Sequence, residues 1–134
     1  MSEVHPLWKA TAAAGVLLFV GVAGAMLVLG TTSPFVVVEG KSMEPTLHEG
    51  DLLLVRGVHS TSGIETGDIV VFEKDGRRVV HRVVDKGTSR GGTILKTHGD
   101  SNPYSSMETV ALENVRGKVV LRLPYLGRPF LLID

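Results

Sequence analysis

The sequence contains no cysteine, few aromatic residues and no excess of charge of either sign. Without a thiol, the chain can form neither a disulfide framework nor a thiolate metal site, and it has no cysteine nucleophile. Fourteen basic and fourteen acidic residues cancel, so there is no electrostatic reason to expect a nucleic-acid partner. Sixteen glycines beside an aromatic content of 5% are instead typical of a turn-rich β domain.

A long uncharged segment lies near the amino terminus. Residues 10–29 contain no Asp, Glu, Lys or Arg, and twenty helical residues span roughly 30 Å, the hydrocarbon thickness of a bilayer. We therefore expect a cytoplasmic tail over residues 1–9, a transmembrane anchor over 10–30 and an extracytoplasmic β domain over 31–134. The alternative is a cleavable signal peptide, because Ala23-Gly24-Ala25 has the small-x-small pattern of a cleavage site. The length of the apolar run favours a retained anchor.

A serine lies in the turn between two short apolar runs. Residues 36–38 and 52–55 have strand length and strand composition, and Gly40 and Pro45 interrupt the chain between them. Ser42 would thus lie on a loop held by rigid elements, where nucleophiles are often found. An ordinary turn serine is the alternative, since serine is common in turns.

A histidine lies within the valine-rich run of residues 79–84. On a strand, Val79, His81 and Val83 share one face, and Arg82 belongs to the other. Arginine is rarely buried, so the histidine is expected on the apolar face. Partial burial beside valines would keep the imidazole neutral near pH 7, as a general base requires. The alternative is a core or edge histidine with a backbone hydrogen bond.

Several Asp-containing turns punctuate the rest of the chain. Asp51 and Asp68 each follow a glycine and precede an apolar run, so we interpret them as turn residues. Asp75-Gly76 between two β-prone runs predicts a hairpin. Residues 98–103 predict another turn, in which Asp100 would either orient an imidazole or cap its own loop.

Four segments in order give the chain a specific resemblance. They are Gly40-Lys41-Ser42-Met43-Glu44-Pro45-Thr46 with Gly50-Asp51, then Gly67-Asp68-Ile69-Val70, then Val80-His81-Arg82-Val83, then Gly99-Asp100-Ser101-Asn102. This series resembles the type I signal peptidase family over nearly the whole chain. A histidine at His81, where the common bacterial enzymes have lysine, resembles the archaeal and endoplasmic-reticulum type. The resemblance implies a mainly β fold, with a single amino-terminal transmembrane helix before a compact antiparallel, barrel-like peptidase domain.

The resemblance also implies an activity, the removal of signal peptides from secreted preproteins after small-x-small sites. Ser42 would be the nucleophile, His81 the general base and Asp100 the third member of a triad. We expect the oxyanion to be bound by the amide of Ser42, helped by one near Gly40.

The expected substrate would lie extended against residues 35–39 by β-augmentation. Val36, Val38 and Met43 would line its shallow side-chain pockets. The partners implied are signal peptides, the lipid bilayer and, as a further candidate, the secretion translocon. No metal and no cofactor is implied.

Two departures from the family pattern leave the third catalytic position open. His98 stands where the subfamily usually has lysine, and Ser105 and Ser106 stand where it usually has a further aspartate. If that aspartate normally supports the histidine, Asp100, Glu108 or no residue takes its place here.

Two other functions remain as alternatives. One is a self-cleaving or site-specific Ser–Lys peptidase of the same fold, which would use Lys41. However, neighbouring side chains on an extended segment point to opposite faces, and such proteins lack an anchor. The other is a non-catalytic, membrane-tethered β module that binds a protein partner; Ser42→Ala and His81→Ala would leave its function intact.

Overall fold

The first element that the structure describes is one long helix. The computed structural model describes residues 6–59 and 63–132, and of Tyr104 only the backbone. Helix α1 (Pro6–Leu29) begins four residues before the predicted anchor, and it is the one helix in these ranges that is long and apolar enough to cross a membrane. It ends at Gly30, whose φ of 66° places it in the left-handed region, and Thr31 N–H donates to the Met26 carbonyl at 3.2 Å. This is the Schellman arrangement that glycine favours. The amino-terminal half of the predicted tail, residues 1–5, lies outside the described residues.

The remainder of the chain is mainly β, as predicted. Its strands are β1 (Phe35–Val37), β2 (Leu52–Arg56), β3 (Ile69–Lys74), β4 (Arg77–Ser89), β5 (Gly92–His98), β6 (Glu108–Ala111) and β7 (Val115–Leu123). All paired neighbours are antiparallel, and the strands form one sheet in the order β1-β2-β7-β3-β4-β5-β6. Short 3₁₀ turns cover Tyr104–Ser106, Leu112–Asn114 and Arg128–Leu132. Strand β1 is therefore an edge strand, paired only with β2 among the described residues.

Two apolar clusters form the core, and strand alternation separates them. Val70 and Val71 are consecutive on β3 and are both buried, but they belong to different clusters because successive side chains point to opposite faces. One cluster contains Val36, Val38, Met43, Leu47, Leu53, Val55 and Val71. The other contains Ile64, Val70, Phe72, Val83, Leu95, Val110 and Val115. The first cluster holds β1 and the loop after it against the sheet.

The predicted turns are present. Asp75 and Gly76 have φ values of 53° and 75° between the paired residues Lys74 and Arg77, the geometry of a type I′ hairpin. The fully buried Asp51 accepts a hydrogen bond from the His48 amide at 2.9 Å. Burial raises the pKa of Asp51, but hydrogen bonds from backbone amides and the nearby Arg122 outweigh it, so the net direction is downward.

Asp68 forms an equivalent turn. Its carboxylate accepts a hydrogen bond from the Glu65 amide at 2.8 Å and lies 3.3 Å from the ammonium of Lys118. Each Gly-Asp pair thus lies in a turn just before a strand. Each of the two carboxylates accepts a hydrogen bond from a backbone amide and contacts a cationic side chain.

Candidate active site

Ser42 lies on the loop that follows β1. Gly40 has a φ of 78°, which turns the chain out of the strand. Met43 and Leu47, both 2% exposed, pack into the first core cluster, and the Leu47 amide donates to the Met43 carbonyl at 2.9 Å. The apolar side chains on either side of a single turn therefore fix the loop, and the serine stays half-buried at its surface.

His81 lies in the first half of β4 and is only 4% exposed. Its ring packs edge-to-face on Phe72, with centroids 6.0 Å apart and an interplanar angle of 66°. Its Nε2 lies 3.1 Å from Ser42 Oγ. Ser42 and His81, the two residues that the sequence singles out, are 39 positions apart in the chain, and the structure brings their side chains together.

The other imidazole nitrogen contacts Glu108 at the start of β6. His81 Nδ1 and Glu108 Oε2 are 2.8 Å apart, and Thr97 Oγ1 donates to the same carboxylate oxygen at 2.8 Å. Thr97 and Glu108 face each other in the β5–β6 register, which explains their approach. An ionised carboxylate only accepts hydrogen bonds, so the proton of a neutral imidazole resides on Nδ1. Nε2 is then free to accept the hydroxyl proton of Ser42.

Asp100 does not reach the imidazole, and the expectation that it orients His81 is corrected here. Its two carboxylate oxygens accept hydrogen bonds from Arg82 Nε and Nη2 at 2.9 and 2.8 Å, and Thr46 Oγ1 donates to Oδ2 at 2.6 Å. The hydrogen bonds from Arg82 hold the pKa of Asp100 below its usual value, against the effect of burial. The physical reason is strand alternation: Arg82 follows His81 on β4, so a carboxylate bound to Arg82 lies on the opposite face.

The segment after β5 clamps the serine loop by its backbone. The Ser101 amide donates to the Ser42 carbonyl at 2.9 Å, and Ser101 Oγ donates to the Lys41 carbonyl at 2.7 Å. A Cβ added at Gly99 would lie 2.8 Å from the Ser42 carbonyl oxygen and 3.0 Å from His81 Nε2. Only a glycine lets this segment pass so close to both groups. Beside it, His98 is buried and its Nε2 lies 3.0 Å from the Pro103 carbonyl oxygen.

The two expected oxyanion donors differ in their availability. The Gly40 amide donates to Glu49 Oε2 at 2.8 Å, so this amide already has an acceptor, and a second oxyanion donor near Gly40 stays a prediction. The Ser42 amide has no acceptor within residues 6–59 and 63–132. The amide of the serine itself therefore remains the candidate donor.

A cavity of about 780 Å³ opens beside the serine. One wall is the run from Phe35 to Gly40, which includes edge strand β1, and the other is the first part of β4. Val36, Val38, Gly40 and Met43, the expected substrate-binding residues, all line it, as do Arg77, Arg78, Phe130 and Leu131, which sequence reasoning did not select. Because β1 is an edge strand, an extended peptide in this cavity could hydrogen-bond to its free side.

Among residues 6–59 and 63–132, no group of three or more His, Asp or Glu side chains is arranged to hold a metal ion. What the site presents is a hydroxyl, an imidazole and a carboxylate in series at the end of an open cleft. That series is the arrangement used by serine hydrolases of unrelated folds.

Comparison with known proteins agrees with this class. A family model described as Peptidase S24-like matches residues 19–120. The signal peptidase complex catalytic subunit SEC11 of Colletotrichum graminicola is 35% identical over 120 residues, which cover 83% of this chain and 70% of that protein. The human signal peptidase complex catalytic subunit SEC11C is 35% identical over 114 residues, covering 78% of this chain and 59% of the relative. The chain matches the S24-like peptidase model, and it belongs to the type I signal peptidase family of the archaeal and endoplasmic-reticulum type.

Proposed function

We propose that this protein is a membrane-bound serine endopeptidase that removes amino-terminal signal peptides from secreted preproteins after small-x-small sites. The observation that carries the proposal is the line of contacts from Ser42 through His81 to Glu108. Ser42 Oγ lies 3.1 Å from His81 Nε2, and His81 Nδ1 lies 2.8 Å from Glu108 Oε2. Relatives named as catalytic subunits of a signal peptidase complex support the choice of substrate class. The chain spans 59% to 70% of the length of these relatives, so the activity is proposed for the part they share.

In the first half of the reaction, Ser42 Oγ attacks the carbonyl carbon at the end of the signal peptide. His81 Nε2 takes the hydroxyl proton as general base, since a distance of 3.1 Å is within the range for direct transfer. The imidazolium then protonates the leaving amine, and the signal peptide remains as an ester on Ser42. Water attacks this ester with the same imidazole as base, and the serine hydroxyl is restored.

Two groups stabilise the charges that form. The Ser42 amide would bind the oxyanion, and such a donor is typically worth about 100-fold or more in kcat. Glu108 would hold the Nδ1–H tautomer and stabilise the imidazolium without taking the proton itself. Thr97 in turn holds the carboxylate, so Glu108 and Thr97 are positioning residues that act through His81.

The substrate would lie extended in the cleft between β1 and the first part of β4, with main-chain hydrogen bonds to β1. Val36, Val38 and Met43 would form shallow apolar pockets for small side chains. Such pockets discriminate by size, and one methylene is worth only about 1–3 kcal/mol. Much of the selectivity must therefore come from presentation of the substrate at the bilayer.

We place the amino terminus in the cytoplasm and the β domain outside the cell membrane, with α1 as the anchor. This placement rests on the apolar helix and on Trp8 and Lys9, which precede the apolar run. The partners in this arrangement are preprotein signal peptides, the lipid bilayer and the secretion translocon.

The direct test is cleavage of a preprotein by the detergent-solubilised protein, followed by sequencing of the new amino terminus. We expect a cut after a small-x-small site and its loss in both Ser42→Ala and His81→Ala. Lys41→Ala serves as the matched control, because it removes the side chain beside the serine that a Ser–Lys mechanism would need. Cutting that survives loss of His81 but not of Lys41 would assign the chain to the Ser–Lys class.

A further inference from the structure

The end of the membrane helix is bound directly by the β domain. The Leu29 carbonyl accepts a hydrogen bond from the Gly57 amide at 2.7 Å, and His59 Nε2 lies 3.2 Å from the Gly30 carbonyl oxygen. Leu29 is also the one residue of α1 that is buried. Carbonyls at a helix end lack partners within the helix, and here residues beyond β2 supply them.

These contacts continue without interruption to the serine loop. The Val55 amide donates to the Pro34 carbonyl at 2.8 Å, and the next residue, Phe35, begins the β1–β2 ladder opposite Leu54. The connection from the helix to β1 is therefore hydrogen-bonded to β2, the strand that leads directly into the residues contacting the helix end. Ser42 follows β1 by five positions, so few free torsions separate the anchor from the nucleophile.

Gly57 is the residue on which this junction depends. A Cβ added there would lie 2.1 Å from the Gly30 carbonyl oxygen and 2.8 Å from its carbonyl carbon. Both are backbone atoms, so no side-chain rotation can relieve the overlap. A substitution at Gly57 must therefore separate β2 from the helix end.

We propose that the junction of Leu29 and Gly30 with Gly57 and His59 sets the height and orientation of the cleft over the membrane, and so selects which peptide bond of a membrane-inserted substrate is cut. The inference rests on the proposed function and extends it to the choice of cleavage position. A strand advances about 3.3 Å per residue, so a displacement of a few ångströms changes the reachable residue by one. A shift of one residue also reverses which side chains face the pockets. Gly57 and His59 are thus positioning residues for this reaction.

The first test compares Gly57→Ala with Gly63→Ala. A Cβ at Gly63 meets only the Val58 side chain, at an ordinary 3.8 Å, so this variant controls for loss of a nearby glycine. Each protein is assayed with a short water-soluble peptide and with preproteins in vesicles whose small-x-small site is moved outward by zero to four residues. For Gly57→Ala we expect an unchanged kcat/KM on the peptide, at least a tenfold loss on the native-spacing preprotein and an optimum shifted by one residue or more.

Equal losses on peptide and preprotein, or an unchanged optimum, would overturn the inference. His59→Ala serves as a second variant that inserts no atom; we expect a smaller shift in the same direction, and an unaltered spacing profile counts against the junction. A wild-type protein that cuts neither substrate would instead refute the proposed function.

A distance measurement tests the junction without any activity. The chain has no cysteine, so Leu27→Cys and Lys74→Cys can carry two spin labels on the exposed end of α1 and on the β3–β4 hairpin. In the full-length protein in lipid we expect one narrow distance distribution, which broadens or moves when Gly57→Ala is added and stays unchanged with Gly63→Ala. A broad distribution in the unsubstituted background would show that the domain moves freely on its anchor, and would overturn the inference.

Discussion

His81 and Arg82 are consecutive residues of β4, yet they bind different carboxylates on opposite faces of the strand. His81 contacts Glu108 at 2.8 Å, and Arg82 contacts Asp100 at 2.8 and 2.9 Å. The first pair continues the series from Ser42, whereas the second joins β4 to the serine loop through Thr46. One strand therefore carries both the proposed base and the arginine that holds the serine loop in place through Asp100 and Thr46.

Replacing Glu108 by Gln should disable the base with little change in shape. A glutamine amide can donate to Nδ1, which would leave the imidazole proton on Nε2, where it cannot accept the proton of Ser42. It also removes the charge that stabilises the imidazolium. We expect kcat to fall by at least about 100-fold with a small change in KM, measured on a signal-peptide substrate near neutral pH.

Asp100→Asn is the matched control for Glu108→Gln, because it removes a carboxylate that contacts the neighbouring β4 residue, Arg82, on the other face of the strand. Its kcat should fall by less than about tenfold, since no proton passes through it. A larger loss of kcat from Asp100→Asn than from Glu108→Gln would reverse the assignment made here.

Asp100→Asn should instead reduce stability, and do so in a pH-dependent way. The hydrogen bonds from Arg82 lower the pKa of Asp100 in the folded state, so the stabilising contribution is fully present above the unfolded value of about 3.9 and is lost as pH falls through the folded value. The free energy of unfolding should be about 1–3 kcal/mol lower for the variant at pH 7. Denaturant titrations from pH 7 downward should show this difference shrinking below about pH 4; a constant difference contradicts the ionic explanation.

Thr97→Val tests whether the second hydrogen bond to Glu108 matters. Valine keeps the shape of this fully buried residue but leaves Glu108 Oε2 with His81 alone. Losing this hydrogen bond leaves the carboxylate less well positioned and should raise the activation free energy by about 1 kcal/mol. The expected kcat is then about three- to tenfold lower, measured with the same substrate. Thr97→Ser, which retains the hydroxyl, should recover most of the activity; equal losses in both variants would assign the effect to packing.

The sequence was sufficient for the elements that local patterns determine. Asp75-Gly76 predicted a two-residue hairpin and forms one, and the alternation of residues 79–84 correctly placed His81 on the apolar face and Arg82 on the other. The apolar run predicted α1, and the described helix also includes the four residues before that run, from Pro6 onward. The helix's membrane placement stays a prediction.

The sequence was not sufficient for the carboxylate beside His81. Glu108 reaches the imidazole because β6 pairs with β5 in the register that sets Thr97 against Glu108, and a register between strands is a tertiary property. The partner of Asp100 was not predicted either: the sequence offered Asp100 an imidazole or its own loop, whereas the structure pairs it with Arg82. The hydrogen bond from the Gly40 amide to Glu49 had no local signal, because it depends on how the loop folds back.

Gly99→Ala should separate the serine loop from the segment after β5 and so abolish most activity. The added Cβ would lie 2.7 Å from Asn102 Nδ2, 2.8 Å from the Ser42 carbonyl oxygen and 3.0 Å from His81 Nε2. The asparagine can move aside, but the carbonyl belongs to the backbone of Ser42, the proposed nucleophile, and accepts a hydrogen bond from the Ser101 amide. Since a displacement of about 1 Å can cost on the order of 100-fold in rate, we expect kcat/KM to fall by about that factor. Gly91→Ala, where a Cβ meets no atom within 4 Å, should leave kcat/KM unchanged. Adding Asn102→Ala to Gly99→Ala distinguishes the contacts: activity that returns in the double variant would show that the asparagine was the obstruction, whereas a persistent loss identifies the approach to Ser42 and His81 as the reason for glycine.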